Sequence, residues 1–179
     1  MDASCEQKIC QGTGENSVLD HSLVSSLLRP ANPLLGSEES KHLWGVDCSK
    51  TFNVLFLRIW DGLSGSQLDA DNCMMARALR QRLDTAKSRT DSLTTHINHG
   101  NWTPTPFISF TTSATVAEGL ADWRLTRHRG AQHLTAIDPN VRVQAGLPIL
   151  DLSAEFSHYK IANPYGTWNQ YCEDHYLCL

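Results

Sequence analysis

Thr105-Pro106-Phe107-Ile108-Ser109-Phe110-Thr111-Thr112-Ser113 is the stretch on which the fold turns. A proline and apolar residues lead into a run of hydroxyls. Ala114-Thr115-Val116-Ala117-Glu118-Gly119-Leu120 then follows with the apolar spacing of a helix. The pattern predicts a buried strand whose far end turns polar, then a helix capped by Ser113 or by Thr112 before it. Taken alone, it reads first as a capped strand-to-helix junction. Hydroxyls at a strand end can also hold a sugar or a phosphate through short, directional hydrogen bonds.

Upstream, Phe52 to Trp60 (FNVLFLRIW) is almost wholly apolar and predicts a strand covered on both faces. Arg58 interrupts it, and burying an arginine is costly without an anion. The partner is either an internal carboxylate, with Asp61 nearest in sequence, or a ligand phosphate. Asp61-Gly62-Leu63-Ser64-Gly65-Ser66 follows as a turn-rich loop that matches neither a Walker nor a Rossmann fingerprint. A helix is expected from about Asp69 to Lys87, burying Met74, Met75, Ala78, Leu79 and Leu83, and a second from Asp91 to about His99 with Leu93 and Ile97 inward. Further back, Glu38 to Leu43 suggests one helical turn, and Ser17 to Leu28 suggests a helix ended by Arg29-Pro30.

Downstream, Thr115 to Arg127 is expected to pack as a helix through Val116, Leu120, Trp123 and Leu125. His133 to Ile137 is a short strand, and Asp138-Pro139-Asn140 a turn. Val141 to Val143 and Ile149 to Leu152 suggest two short extended pieces, Ala154 to Tyr159 a helical turn, and Asn163-Pro164-Tyr165-Gly166 a loop. Tyr176 to Leu179 begins a final strand that the terminus cuts, which leaves room for a longer native protein.

The 179 residues fit one α+β domain over 17–179, with its core from about residue 52, an N-terminal helical segment, and a flexible tail over 1–16. Hydrophobic residues make up 41% and charged ones 19%, which excludes a disordered chain. A net charge of −4 argues against a nucleic-acid binder that works through bulk positive charge. The arginines are uneven: Arg77, Arg80, Arg82 and Arg89 form one group, and Arg124, Arg127 and Arg129 form another with His128. Solvated helix faces are the plainer account of both, phosphate binding the sharper one. No run is long enough to span a membrane, and no secretory signal is visible. Six scattered cysteines without C-x-x-C spacing then suggest reduced thiols in a cytoplasmic protein, while the even count still allows disulfides if a leader has been removed. His96 and His99 lie three apart, but no third ligand stands near them, so helix-end capping is preferred to a metal site.

Arginine on a strand, a Ser/Thr strand, then a glutamate before an apolar strand is the order in which this chain resembles the ADP-ribosyltransferases. Leu57-Arg58-Ile59-Trp60-Asp61 looks like the arginine strand, Phe107 to Ser113 like the Ser-Thr-Ser element, and Cys172-Glu173-Asp174-His175 like the acidic end. The segments Trp102 to Ala121 and Tyr171 to Leu179 are similar to fungal domains of unknown function related to this fold. The resemblance implies a split β-sheet core, with NAD as substrate and no metal. It implies that Arg58 contacts the dinucleotide phosphates, that Ser109, Thr111 and Ser113 line the ribose side, and that Glu173 stabilises an oxocarbenium-like state beside His175. It also implies transfer of ADP-ribose to a protein or other acceptor, or hydrolysis of NAD, with acceptor selection in a loop over Asn163 to Gln170. Phe110 departs from the strict triplet, and His175 stands where relatives often carry glutamate. The same features therefore also fit a degenerate transferase fold kept for binding a protein or a nucleotide.

Overall fold

Ile108 and Phe110 fall on one face of strand β2 (Ile108–Thr111), and Ser109 and Thr111 on the other, the alternation that a strand imposes. The computed structural model describes residues 36–45, 50–98, 101–162 and 174–179, all of them within one compact unit over Ala31–Leu179. The expected tail over 1–16 and helix over Ser17 to Leu28 lie outside the described residues.

Strand β2 is central in a five-stranded antiparallel sheet. Its companions are β1 (Phe56–Asp61), β3 (Gln132–Ile137), β4 (Ile149–Asp151) and β5 (His175–Cys178), in the order β3-β1-β2-β5-β4. The β1–β3 ladder is registered over six residues, from Phe56 opposite Ile137 to Asp61 opposite Gln132. Strands β2 and β5 pair over four, from Ile108 opposite Cys178 to Thr111 opposite His175. Between β1 and β2 there is one registered pair, Leu57 opposite Thr111. The sheet is therefore least tightly laced at the seam between the arginine strand and the hydroxyl strand.

Alternation sorts the core into two clusters. Phe56, Ile108, Phe110 and Cys178 pack together on one face, joined by Tyr176, Ile149 and Ile137. Leu150 and Leu177 face the other way, into a cluster with Leu93 and Ile97 of α1 (Ala86–Ile97) and Leu152 and Phe156 of α4 (Leu152–Tyr159). Trp44, Leu83 and Phe107 complete that second cluster. The remaining helices are α2 (Ala114–Thr126) and α3 (Pro139–Gln144).

The helix starts follow capping chemistry. Ser113 caps α2, its hydroxyl accepting the Val116 N–H at 3.3 Å. Thr85 and Ser88 form a reciprocal capping box at α1. Asp138 caps α3 ahead of Pro139, whose fixed φ suits the first helical position. Asp138-Pro139-Asn140 is thus a helix start and not a turn, and Val141 to Val143 is helical and not extended.

The expected helix over Asp69 to Lys87 does not form. The Asp69 carboxylate accepts the N–H groups of Asp71 and Cys73 at 3.0 and 2.8 Å, Asn72 adopts φ 57°, and Leu68 bridges back to Met74. Aspartate and asparagine offer the backbone this tight turn in place of helical bonds. Of the expected stripe only Leu83 is buried, while Met75 and Leu79 stand in solvent. Helix α1 begins instead at Ala86 and absorbs the second expected helix. Helix α2 also packs differently: Ala117 is its one buried residue, and Trp123 and Leu125 are exposed. Strand β1 starts at Phe56, leaving Val54 and Leu55 exposed.

Leu177 is fully buried where β5 is flanked on both sides by strands and covered by α1 and α4. Leu177→Ala is expected to cost about 3 kcal/mol through lost transfer energy and a residual cavity. Chemical denaturation should show it as a lower midpoint with an unchanged slope.

Candidate functional site

A cleft of about 260 Å³ opens at the β1–β2 seam. Its wall carries Arg58 of β1, Ser109 and Thr111 of β2, His175 of β5 and His96 of α1. Ser64, Gly65, Ser66 and Arg77 come from the loop after β1, Arg124 from the last turn of α2, and Arg129 from the turn before β3. The exposed rings of Trp102 and Trp123 also border it. Four arginines therefore line one cavity of an acidic protein, and among the described residues no aspartate or glutamate lines it.

The nearest carboxylate, Asp61, is buried and already committed. Arg124 Nη1 donates to its Oδ2 at 2.6 Å and Arg129 Nη2 to its Oδ1 at 2.9 Å. The Leu63 N–H donates to Oδ1 at 2.9 Å as the loop turns, and Ser64 Oγ receives a further bond from Arg124 at 2.9 Å. Burial pushes the Asp61 carboxyl up, but the bonds from Arg129, Arg124 and the Leu63 N–H outweigh it and hold the group below its ordinary value.

Asp61 does not pair with Arg58, because residues three apart on a strand point to opposite faces. Arg58 spans the seam instead: Nη1 donates to the Ser109 carbonyl at 3.1 Å and Nη2 to the Ser66 carbonyl at 3.3 Å. Its Nε is buried without a hydrogen-bond partner among the described residues. Burial lowers this guanidinium to about 10, and the nearby Arg124 charge adds to the shift, with Cys178 opposing it. Two neutral carbonyls leave a full positive charge at the seam, so an anion arriving there meets a cation that no described carboxylate neutralises.

The hydroxyls are spent in different ways. Ser109 Oγ lies 2.6 Å from His96 Nε2, and His96 Nδ1 lies 2.6 Å from Thr105 Oγ1. His96, the basic residue in the last turn of α1, thus also faces the cleft. Thr111 is buried, its Oγ1 accepting the Ser113 N–H at 3.1 Å. Ser113, expected on the ribose side, gives its hydroxyl to the cap of α2 and does not line the cleft. His175 is buried on β5 directly opposite Thr111. Glu173, His99 and the expected acceptor loop over Asn163 to Gln170 lie outside the described residues.

Arg124 and Arg129 emerge as cleft residues that the sequence marked only as part of a basic group. Arg77, Arg80 and Arg82 are exposed, but on no helix face, and Arg77 lines the cleft; Arg89 is fully buried between Glu39 and the Trp44 ring. Among the described residues no three His, Cys, Asp or Glu side chains gather as a metal site, and no helix is long and apolar enough to cross a membrane. Comparison with family models, with curated proteins and with solved structures gives no match to this chain.

The Asp61 carboxyl is lowered in the folded state, so its contribution to stability is present above its unfolded pKa, about 3.9, and is lost as pH falls through the folded value. Asp61→Asn is expected to destabilise the fold by about 3 kcal/mol at pH 7, since it leaves two arginines without their carboxylate. Unfolding followed at pH 7 and again at pH 3 should show the gap between variant and wild type narrowing in acid.

Proposed function

We propose that the cleft binds NAD and that the chain is an ADP-ribosyltransferase-like protein, which transfers ADP-ribose to a protein or other acceptor or hydrolyses NAD. The observation that carries this reading is Arg58, a half-buried cation held only by carbonyls, in a cleft with three further arginines and no described carboxylate. A pyrophosphate suits that wall. Guanidinium groups offer paired donors in a planar fork, and the anion repays the desolvation of Arg58. Ser109 stands on the adjoining strand, where its hydroxyl would meet the nicotinamide ribose.

Breaking the nicotinamide–ribose bond builds positive charge on the sugar, which a carboxylate beside it would stabilise. Glu173 is the residue proposed for that role, just ahead of β5. A second reading rests on a specific feature. The β5 side chain opposite Thr111 belongs to His175, and imidazole supplies no negative field. On that reading the fold is kept for binding a nucleotide or a protein.

NAD and ADP-ribose at millimolar concentration are expected to raise the melting temperature, with a stabilisation of about 1.4 kcal/mol at ten times the Kd. Arg58→Lys should lose most of that shift, because a point charge cannot reproduce the fork. Nicotinamide release above background by the wild type, abolished in Glu173→Ala, supports the transferase. Background release with the shift retained supports the binding module. An unchanged midpoint with both ligands overturns the cleft assignment.

A further inference from the structure

Ser109 is in hydrogen-bond contact with a histidine that a second hydroxyl holds from behind. The three side chains come from separate places: His96 from α1, Thr105 from the segment before β2, and Ser109 from β2 itself. All three line the cleft. Both contacts measure 2.6 Å, Thr105 is buried, and the Phe107 ring meets the imidazole edge-on with centroids 5.4 Å apart. The ring is therefore fixed in position, with Nε2 at the serine. A serine hydroxyl is a weak nucleophile until a neighbouring base takes its proton, and the base works best when a third group sets its tautomer.

We propose that Ser109, His96 and Thr105 form a nucleophile, base and orienting group that hydrolyse a carboxylic ester bearing an anionic group. With the Nδ1 proton donated to Thr105 Oγ1, Nε2 accepts the Ser109 proton as Oγ attacks the ester carbon. The carbonyl π bond opens to an oxyanion, which re-forms the carbonyl as the C–O bond to the alcohol breaks. The leaving oxygen takes the proton from Nε2. Water then attacks the acyl-serine, giving a proton to His96 that returns to Ser109 as the carboxylic acid departs. The oxyanion meets a cationic wall, since Arg58, Arg77, Arg124 and Arg129 line the same cleft. The surrounding arginines select a substrate carrying phosphate or carboxylate.

A fluorophosphonate probe tests this on the full chain, because Ser109 Oγ would displace fluoride and retain a covalent phosphonyl group. Intact-mass and peptide analysis should find one adduct, on Ser109. Ser109→Ala should remove it, and His96→Gln should slow labelling about a hundredfold, the scale of one general base. A folded wild type that stays unlabelled while a serine hydrolase control reacts would overturn the proposal. So would an adduct on another serine, or a His96→Gln protein labelled at the wild-type rate. The probe does not involve NAD, so its outcome stands apart from the melting shifts that decide the dinucleotide reading.

Discussion

A carboxylate without access to water has to be neutralised inside the protein, and at Asp61 two arginines do it. Arg124 arrives from the last turn of α2, and Arg129 from the turn that leads into β3. That turn is shaped for the purpose. His128 and Gly130 take left-handed φ angles of 52° and 80°, and the Arg129 N–H returns to the Arg124 carbonyl. The Asp61 ion pairs consequently fasten the end of β1, the end of α2 and the start of the β1–β3 ladder to one point. The same pairs hold two guanidinium groups at the wall of the cleft. Removing one member would strand charge in a buried site, so the geometry of the cleft and the stability of the sheet are linked through a single residue.

Legibility in the sequence followed how local the determining interaction is. Strand β2 and the cap of α2 were readable because alternation and an N-cap serine are settled within a few residues. The region after β1 misled because its apolar spacing suggested a helix, whereas Asp69 and Asn72 close a turn that competes for the same backbone groups. Val141 and Val143 suggested extension through side-chain preference, and the Asp138-Pro139 start overrode it. Arg58 was legible as a problem but not as a solution. Its expected partner was near in sequence and on the wrong face, while its actual partners are the carbonyls of Ser109 and Ser66.

The hydroxyl run shows a related limit. Its composition signalled a polar strand end, but composition does not say which hydroxyls are free for a ligand. Ser113 is consumed by a helix, Thr111 by the backbone of Ser113, and Ser109 is tied to His96. The histidine is separated from that serine by thirteen residues, and only the packing of α1 against the sheet brings them together. A reading by motif gave all three hydroxyls one task. The folded chain gives them three, and of these Ser109 is the one whose hydroxyl lies 2.6 Å from an imidazole nitrogen.

Fully buried Arg89 and half-buried Arg58 together clarify why the cleft is electropositive at all. Arg89 has a complete set of partners: the Glu39 carboxylate, the Leu83 carbonyl at 2.8 Å, the His42 carbonyl and the face of Trp44 at 4.3 Å. Its charge is neutralised where it lies, and it serves the core. Arg58 is held by two neutral acceptors at longer distances, and the arginine coupled to it electrostatically, Arg124, raises the cost further. Asp61 cannot relieve that cost, since its oxygens already answer Arg124 and Arg129. Positive charge left over from folding therefore accumulates at the β1–β2 seam, where the ladder is thinnest and the backbone leaves room. A fold built only for stability would have put a carboxylate or an apolar side chain there. An anion at that wall would offset the cost of Arg58, which is the physical ground of the proposed phosphate contact.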